Sequence, residues 1–208
     1  EKGLPERQFV VASGPTHAEE IAMQRISQIT VACKDDQIRN RAAATLAGDY
    51  LKVFPSGDVL GIEYAAILKN IYSIAAGMLK GQDYGDNILA IFTSYALREM
   101  QTFLDTLVGG QRNIMQAAYL GDLLVTAYSQ HSRNRMFGTM LGKGYSLKAI
   151  LLEMNMVAEG YYAAGSIYKS AQQHSLTMPA IEFVYNVIHD HKPIADETKN
   201  FIETILKN

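Results

Sequence analysis

Residues 61–87, GIEYAAILKNIYSIAAGMLKGQDYGDN, constrain the fold more than any other stretch. They read as one long, nearly all-apolar helix, interrupted by the adjacent polar pair Lys69 and Asn70 and followed by a glycine-rich turn. Ala65, Ala66, Ile67, Leu68, Ile71, Ile74, Ala75, Ala76, Met78 and Leu79 surround the pair and leave no broad face for water. A helix that is apolar on most sides is buried, so other elements must wrap it. A lysine in its middle then either snorkels to solvent or sits in a site with a reason to charge and discharge it.

The period of the sequence changes ahead of this helix. Gln8 to Ala12 is a β-rich run ended by Ser13-Gly14-Pro15, and Gln28 to Cys33 and Tyr50 to Phe54 are two further strands. Between them, Thr16 stands where an N-cap belongs, with Glu19 three residues on as its capping-box partner. Asp35 and Asp36 open a second helix that runs to about Ala47. Three short strands make a poor independent sheet and read as the trailing edge of a larger one. From Asp58 onward helix follows helix: 87–107, a short piece at 114–118, 122–128, then segments from Ser132, Ser146, Glu159, Ile181 and Ala195. The expected organisation is therefore an α/β remnant over residues 1–56 and an all-helical domain over 57–208. The start, Glu1-Lys2-Gly3, has no methionine and reads as part of a longer protein.

Composition narrows the function classes. A hydrophobic share of 48% with 19% charged residues describes a soluble globular chain. A net charge of −2 with no basic run argues against a nucleic-acid footprint. Cys33 is alone, so neither an internal disulfide nor a cysteine metal cluster can form, which suits a cytoplasmic location. The five histidines lack metal-ligand spacing, and His189 and His191 are expected to face solvent; no metal is expected. Tyr161 and Tyr162 are expected to pack within the bundle. No run is apolar enough for a convincing membrane span, and neither GxGxxG nor a P-loop is present.

Four features can carry chemistry. Ser13-Gly14-Pro15-Thr16-His17-Ala18 is a glycine turn entering a helix N-terminus, where free N–H groups suit an anion or only cap the helix. Lys69-Asn70 offers a partly buried lysine; burial lowers a lysine pKa and allows proton exchange near neutrality. Asp122, after Gly121, shares a helix face with Thr126, or simply caps its helix. Ser132-Arg133-Asn134-Arg135 presents either a fork of donors for phosphate or carboxylate, or a solvated basic helix end.

In this order, SGPTHAEEIA, EYAAILKNIYSIAAG with YGDN, AYLGDLLVT, SRNRMFG and MVAEG resemble the bacterial NAD(P)-dependent glycerol-3-phosphate dehydrogenase family, from about Leu4 to the C-terminus. The resemblance implies a helical C-terminal domain of the 6-phosphogluconate dehydrogenase type, preceded by the end of a Rossmann-type sheet whose GxGxxG half lies outside this chain. It implies reversible reduction of dihydroxyacetone phosphate to sn-glycerol 3-phosphate with NAD or NADP, for phospholipid synthesis, by a cytoplasmic enzyme that can pair as a homodimer. This chain by itself is expected to be inactive.

By the same resemblance Lys69 is the proton acceptor or donor, with Asp122 polarising it and Thr126 beside them. Gly14, Thr16, Lys69, Asn70, Asp122, Ser132, Arg133 and Asn134 contact substrate. Ala18, Arg133, Val157 and Glu159 contact the cofactor. Lys2-Gly3 stands too near the Ser-Gly-Pro turn to match the family's second lysine. Two other readings compete: a related dehydrogenase for another hydroxyacid, and a helical interaction module without catalysis. The second predicts that Lys69, Asp122 and Arg133 do not converge.

Overall fold

The computed structural model describes residues 9–154 and 158–207; Val157, and Gln8 at the expected start of the first strand, lie outside them. Three strands form one sheet in the order β1 (Val11–Ser13), β2 (Ser27–Ala32), β3 (Leu51–Ser56). β1 runs antiparallel to β2 with Val11 opposite Ala32, and β2 runs parallel to β3 with Ser27 opposite Leu51. Parallel pairing needs a crossover, and α2 (Asp36–Leu46) supplies it, capped by Asp35, whose carboxylate accepts from the Gln37 and Ile38 amides. β3 ends the sheet, which is why Pro55, with no N–H to give, is tolerated opposite Val31.

Two local expectations are corrected here. The first strand is Val11–Ser13, later than Gln8–Ala12, because the ladder begins where Val11 meets the last residue of β2. The first helix, α1 (Ala18–Ala22), is capped at His17 with no side-chain cap. Thr16 donates its hydroxyl backwards to the Gly14 carbonyl at 3.3 Å and is not available for a capping box.

The rest is helical and built on α3 (Val59–Gly81). Asp58 caps it by accepting from the Gly61 amide, and an unbroken run from Ile71 to Leu79 is buried. Around it stand α4 (Asp86–Leu107), α5 (Asp122–Tyr128), α6 (Arg133–Gly142), α8 (Glu159–Gln173) and α9 (Pro179–Ile188). The short α7 (Leu147–Glu153) rests on α6, and α10 (Ile194–Lys207) closes the bundle over α9 and α4. Among the described residues α3 alone is long and apolar enough to cross a membrane. Of its most apolar window, 61% is buried in the fold, as befits a core helix.

α3 and α6 meet backbone to backbone. A methyl group on Gly138 would overlap the Ile74 carbonyl, and one on Gly142 would lie 2.8 Å from the Gly81 Cα. A methyl on Gly77 would stand 2.8 Å from the Thr139 amide. Four glycines at four-residue spacing on the two helices thus allow an approach that side chains would prevent.

Residues 114–118 are not an independent helical piece. A single π-helical turn, Ala117–Gly121, runs without a break into α5, so Asp122 lies inside a continuous helical path and is not an N-cap. The connection before it is tied to α3 by Arg112, whose side chain is 4% exposed. The guanidinium donates to Asp58 at 2.9 Å, Asp105 at 3.1 Å and the Gly109 carbonyl at 2.6 Å. Tyr119 adds a hydroxyl to the same Asp58 oxygen at 2.6 Å. His189 is also placed differently from the expectation: it is half-buried, packed between Tyr161 and Tyr185. Tyr161 packs on Phe137, whereas Tyr162 is 66% exposed.

Candidate functional site

The polar pair of α3 opens onto a cluster assembled from five elements. Lys69 Nζ lies 2.6 Å from Asp122 Oδ2, a charge-assisted contact between α3 and the first turn of α5. Asp122 is 2% exposed. Burial pushes its carboxyl above the ordinary range, while the Lys69 ammonium and the hydrogen bonds it accepts pull the other way. The π turn sets this geometry, because it carries the chain from the Arg112 anchor straight into Asp122. Thr126 is buried one turn on and donates its hydroxyl to the Asp122 carbonyl at 2.7 Å.

Ser13, at the end of β1, opens the Ser13–Ala18 turn picked out in the sequence but has no role of its own there, and it donates to Asp122 Oδ2 at 2.9 Å. The neighbouring turn is held close by two contacts. A Cβ on Gly14 would lie 2.7 Å from the Gln28 carbonyl oxygen, so only glycine passes there. Pro15 lies against Gly121, where a Cβ would sit 3.4 Å from the proline ring. Gly14 is buried, Thr16 half-buried and Ala18 exposed.

A relay of amides extends from Lys69's neighbour. Asn70 Nδ2 donates to Glu159 at 2.9 Å, and Asn70 Oδ1 accepts from Asn134 Nδ2 at 3.0 Å. Asn134 Oδ1 in turn accepts from the Gly160 amide at 2.9 Å. Gly160 allows this closeness, since a Cβ there would lie 2.7 Å from the Asn70 carbonyl oxygen. Three elements, α3, α6 and α8, are therefore joined by two asparagines, with both amides fully oriented.

The start of α6 is held from beneath. Ser132 caps it by accepting from the Arg135 amide, and its hydroxyl meets Ser73 at 2.9 Å. Ser73, fully buried, donates onward to the Thr126 carbonyl at 2.7 Å. Ser73 is a further residue that the sequence left without a role, although a serine four residues after Lys69 in an apolar run was the available signal. Arg133, first residue of α6, is exposed at the mouth of the cluster, beside His131, whose ring lies 6.0 Å edge-on from that of His17.

Hydrogen bonds thus join Lys69, Asp122, Thr126 and Ser132 in one set and Asn70, Asn134 and Glu159 in a second; the two sets adjoin where Lys69 precedes Asn70, and Arg133 stands between Ser132 and Asn134 in the chain. Gly14 enters as the neighbour of Ser13, and Thr16 and Ala18 follow on the same turn. The arrangement sets a lysine–carboxylate pair, Lys69 and Asp122, in one cluster with the N-terminal turn of α6. Among the described residues, no group of three or more His, Cys, Asp or Glu side chains could hold a metal ion.

Residues 58–199 match the family model described as the C-terminus of NAD-dependent glycerol-3-phosphate dehydrogenase, and residues 1–39 match that of its N-terminus. The chain is 34% identical to the glycerol-3-phosphate dehydrogenase [NAD(P)+] of Staphylococcus haemolyticus, covering 92% of this chain and 58% of that protein. It is 37% identical to the corresponding Exiguobacterium protein, covering 94% and 58%. The crystal structure of glycerol-3-phosphate dehydrogenase from Coxiella burnetii superposes with a TM-score of 0.88 at 29% identity, over 96% of this chain and 60% of that one. The chain thus spans about three-fifths of the length of these relatives.

Proposed function

Because this chain belongs to the NAD-dependent glycerol-3-phosphate dehydrogenase family, we propose that it supplies the acid–base and substrate-holding part of such an enzyme. The substrate pair is dihydroxyacetone phosphate and sn-glycerol 3-phosphate. The observation that carries the reading is the Lys69–Asp122 pair at 2.6 Å, set beside the start of α6 with its Arg133 and Asn134. Residues 57–208 form the catalytic unit and 1–56 the end of a dinucleotide-binding domain.

In the reductive direction Lys69 gives its proton to the substrate's carbonyl oxygen, and in the oxidative direction it takes the proton from the hydroxyl. Asp122 keeps the ammonium in place and balances its charge, with Thr126 supporting the turn that carries Asp122. Arg133 and Asn134, with Ser132 and Asn70, hold the phosphate, and Gly14 and Thr16 bound the substrate on the β1 side. A phosphate suits this donor set better than a carboxylate of another hydroxyacid does, because Arg133 and Asn134 stand in the first turn of α6, where an arginine and an amide beside helix N–H groups favour an anion of higher charge.

A bound nicotinamide cofactor, NAD or NADP, supplies or accepts the hydride. The residues on this side suit it: Glu159 offers an exposed carboxylate for a carboxamide, and Arg133 a cation for a pyrophosphate, with Ala18 leaving room at the turn. A cytoplasmic homodimer serving glycerophospholipid synthesis is the setting we infer. The test is Lys69→Ala in the full-length enzyme, followed by dihydroxyacetone-phosphate-dependent oxidation of NADH and NADPH. Turnover is lost while substrate binding persists; a retained kcat refutes the role given to Lys69.

A further inference from the structure

One carboxylate oxygen, Asp122 Oδ2, accepts from two donors: Lys69 Nζ at 2.6 Å and Ser13 Oγ at 2.9 Å. Lys69 approaches from the helical core, whereas Ser13 lies 109 residues away in the chain, at the end of a strand. Resting on the reading of Lys69 and Asp122 as the acid–base pair, we propose that Ser13 is a positioning residue. Its hydroxyl holds the Asp122 carboxylate in place through the part of the cycle in which Lys69 has given up its proton.

The reasoning follows the charge. When Lys69 passes its proton to the substrate oxygen, it becomes a neutral amine, and the attraction that held the carboxylate disappears. Asp122 is 2% exposed, so water cannot take over as donor without opening the site. A buried carboxylate in that position turns away or captures a proton itself, and either event delays recharging of the lysine. Ser13 prevents this because its hydroxyl does not titrate and donates to the same oxygen. The charged group facing Asp122 is Lys69 of α3; β1 contributes the Ser13 hydroxyl, and α5 contributes Thr126, whose hydroxyl donates to the Asp122 carbonyl at 2.7 Å and also lies near enough to the carboxylate to lower its pKa, a smaller effect than that of Ser13.

Contacts of the residues that follow place the Ser13 hydroxyl. Gly14 lies against the Gln28 carbonyl of β2, and Pro15 lies against Gly121, the residue before Asp122. Strand end and π turn are therefore in register, and a group seated on the Gly14–Thr16 turn is one residue from the acid–base pair.

The test uses the full-length enzyme with Ser13→Ala, Ser13→Thr, Asp122→Asn and the double variant Ser13→Ala/Asp122→Asn. Ser13→Ala lowers kcat about tenfold to a hundredfold, with KM for dihydroxyacetone phosphate and nicotinamide changed less than about twofold, since the reacting groups are misplaced while the binding groups are not. Ser13→Thr, which keeps the hydroxyl, restores most of the loss. The double variant is no slower than Asp122→Asn alone, because the serine acts only through that carboxylate. An unchanged kcat in Ser13→Ala beside an impaired Asp122→Asn overturns the inference alone. A threonine variant as slow as the alanine variant, or losses that multiply in the double variant, also overturns it. Full turnover in Asp122→Asn overturns the underlying site reading, and the inference with it.

Discussion

Glu99 gives a prediction that can be worked through in energy. It lies on α4 with 6% of its surface exposed, and its carboxylate accepts from the Ala180 amide at 2.9 Å and the Ile181 amide at 3.3 Å. α9 has no cap of its own at Met178, so a side chain from another helix caps it. Burial pushes the Glu99 carboxyl from 4.5 to about 8, outweighing the two backbone donors that pull it down. The fully buried Tyr72 lies close by, and its phenol is pushed well above its usual range, first by burial and then by Glu99. Between these two pH values the folded chain holds a proton that the unfolded chain has released. Stability therefore falls as pH rises through this window. With about 1.4 kcal/mol per tenfold in proton affinity, the full effect is on the order of 5 kcal/mol, and about 3 kcal/mol of it falls between pH 5 and pH 8. Glu99→Gln removes the titration and loses one acceptor, a pH-independent cost of about 1–3 kcal/mol. Urea unfolding of both proteins across pH 5 to 8 isolates the residue, since every other titrating group is common to the pair. The stability advantage of the parent protein should shrink with rising pH. A difference that stays flat would mean that the α9 N-terminus, not desolvation, decides the charge of Glu99, and would refute the argument.

Other outcomes follow from the same structure. Arg133→Ala in the full-length enzyme raises KM for dihydroxyacetone phosphate by at least tenfold, from about 1.5–3 kcal/mol of lost charge-assisted bonding, and leaves the melting temperature nearly unchanged. An unfolded variant would refute its role. Gly138→Ala drives a methyl into the Ile74 carbonyl and should cost about 3 kcal/mol, read as a lowered melting temperature. Arg112→Ala leaves Asp58, Asp105 and the Gly109 carbonyl without their common partner and should cost about 3 kcal/mol by urea unfolding.

What the sequence made legible was whatever rests on periodicity and local order. The central helix, the change of period near residue 56 and the cap at Asp35 could be read because their causes lie within a few residues. The family resemblance worked for a related reason: several motifs keep their order along one chain. Contacts made at long range were legible only where the resemblance supplied them, as for Lys69 and Asp122. Glu99 stands in the sequence as one charge within the 87–107 helix, and its partners are 81 and 82 residues away. Ser13 looked like the start of a turn, and Asp122 like a cap; the bond between them depends on a sheet and a π turn that neither segment announces. Thr16 satisfied the capping pattern, but its hydroxyl found the Gly14 carbonyl first, a local competition that the pattern does not rank.

The glycine seam between α3 and α6 has a consequence for how the site can vary. Lys69 and Asn70 stand on one of these helices, Arg133 and Asn134 on the other. Where main chain rests on main chain, the spacing between helices does not depend on the size of any core side chain. Drift among the apolar residues elsewhere in the bundle can then proceed without changing the gap between Lys69 and Asn70 on one side and Arg133 and Asn134 on the other. The two helices behave as the fixed frame of the cluster, and any change in its width has to come from the side chains that border it.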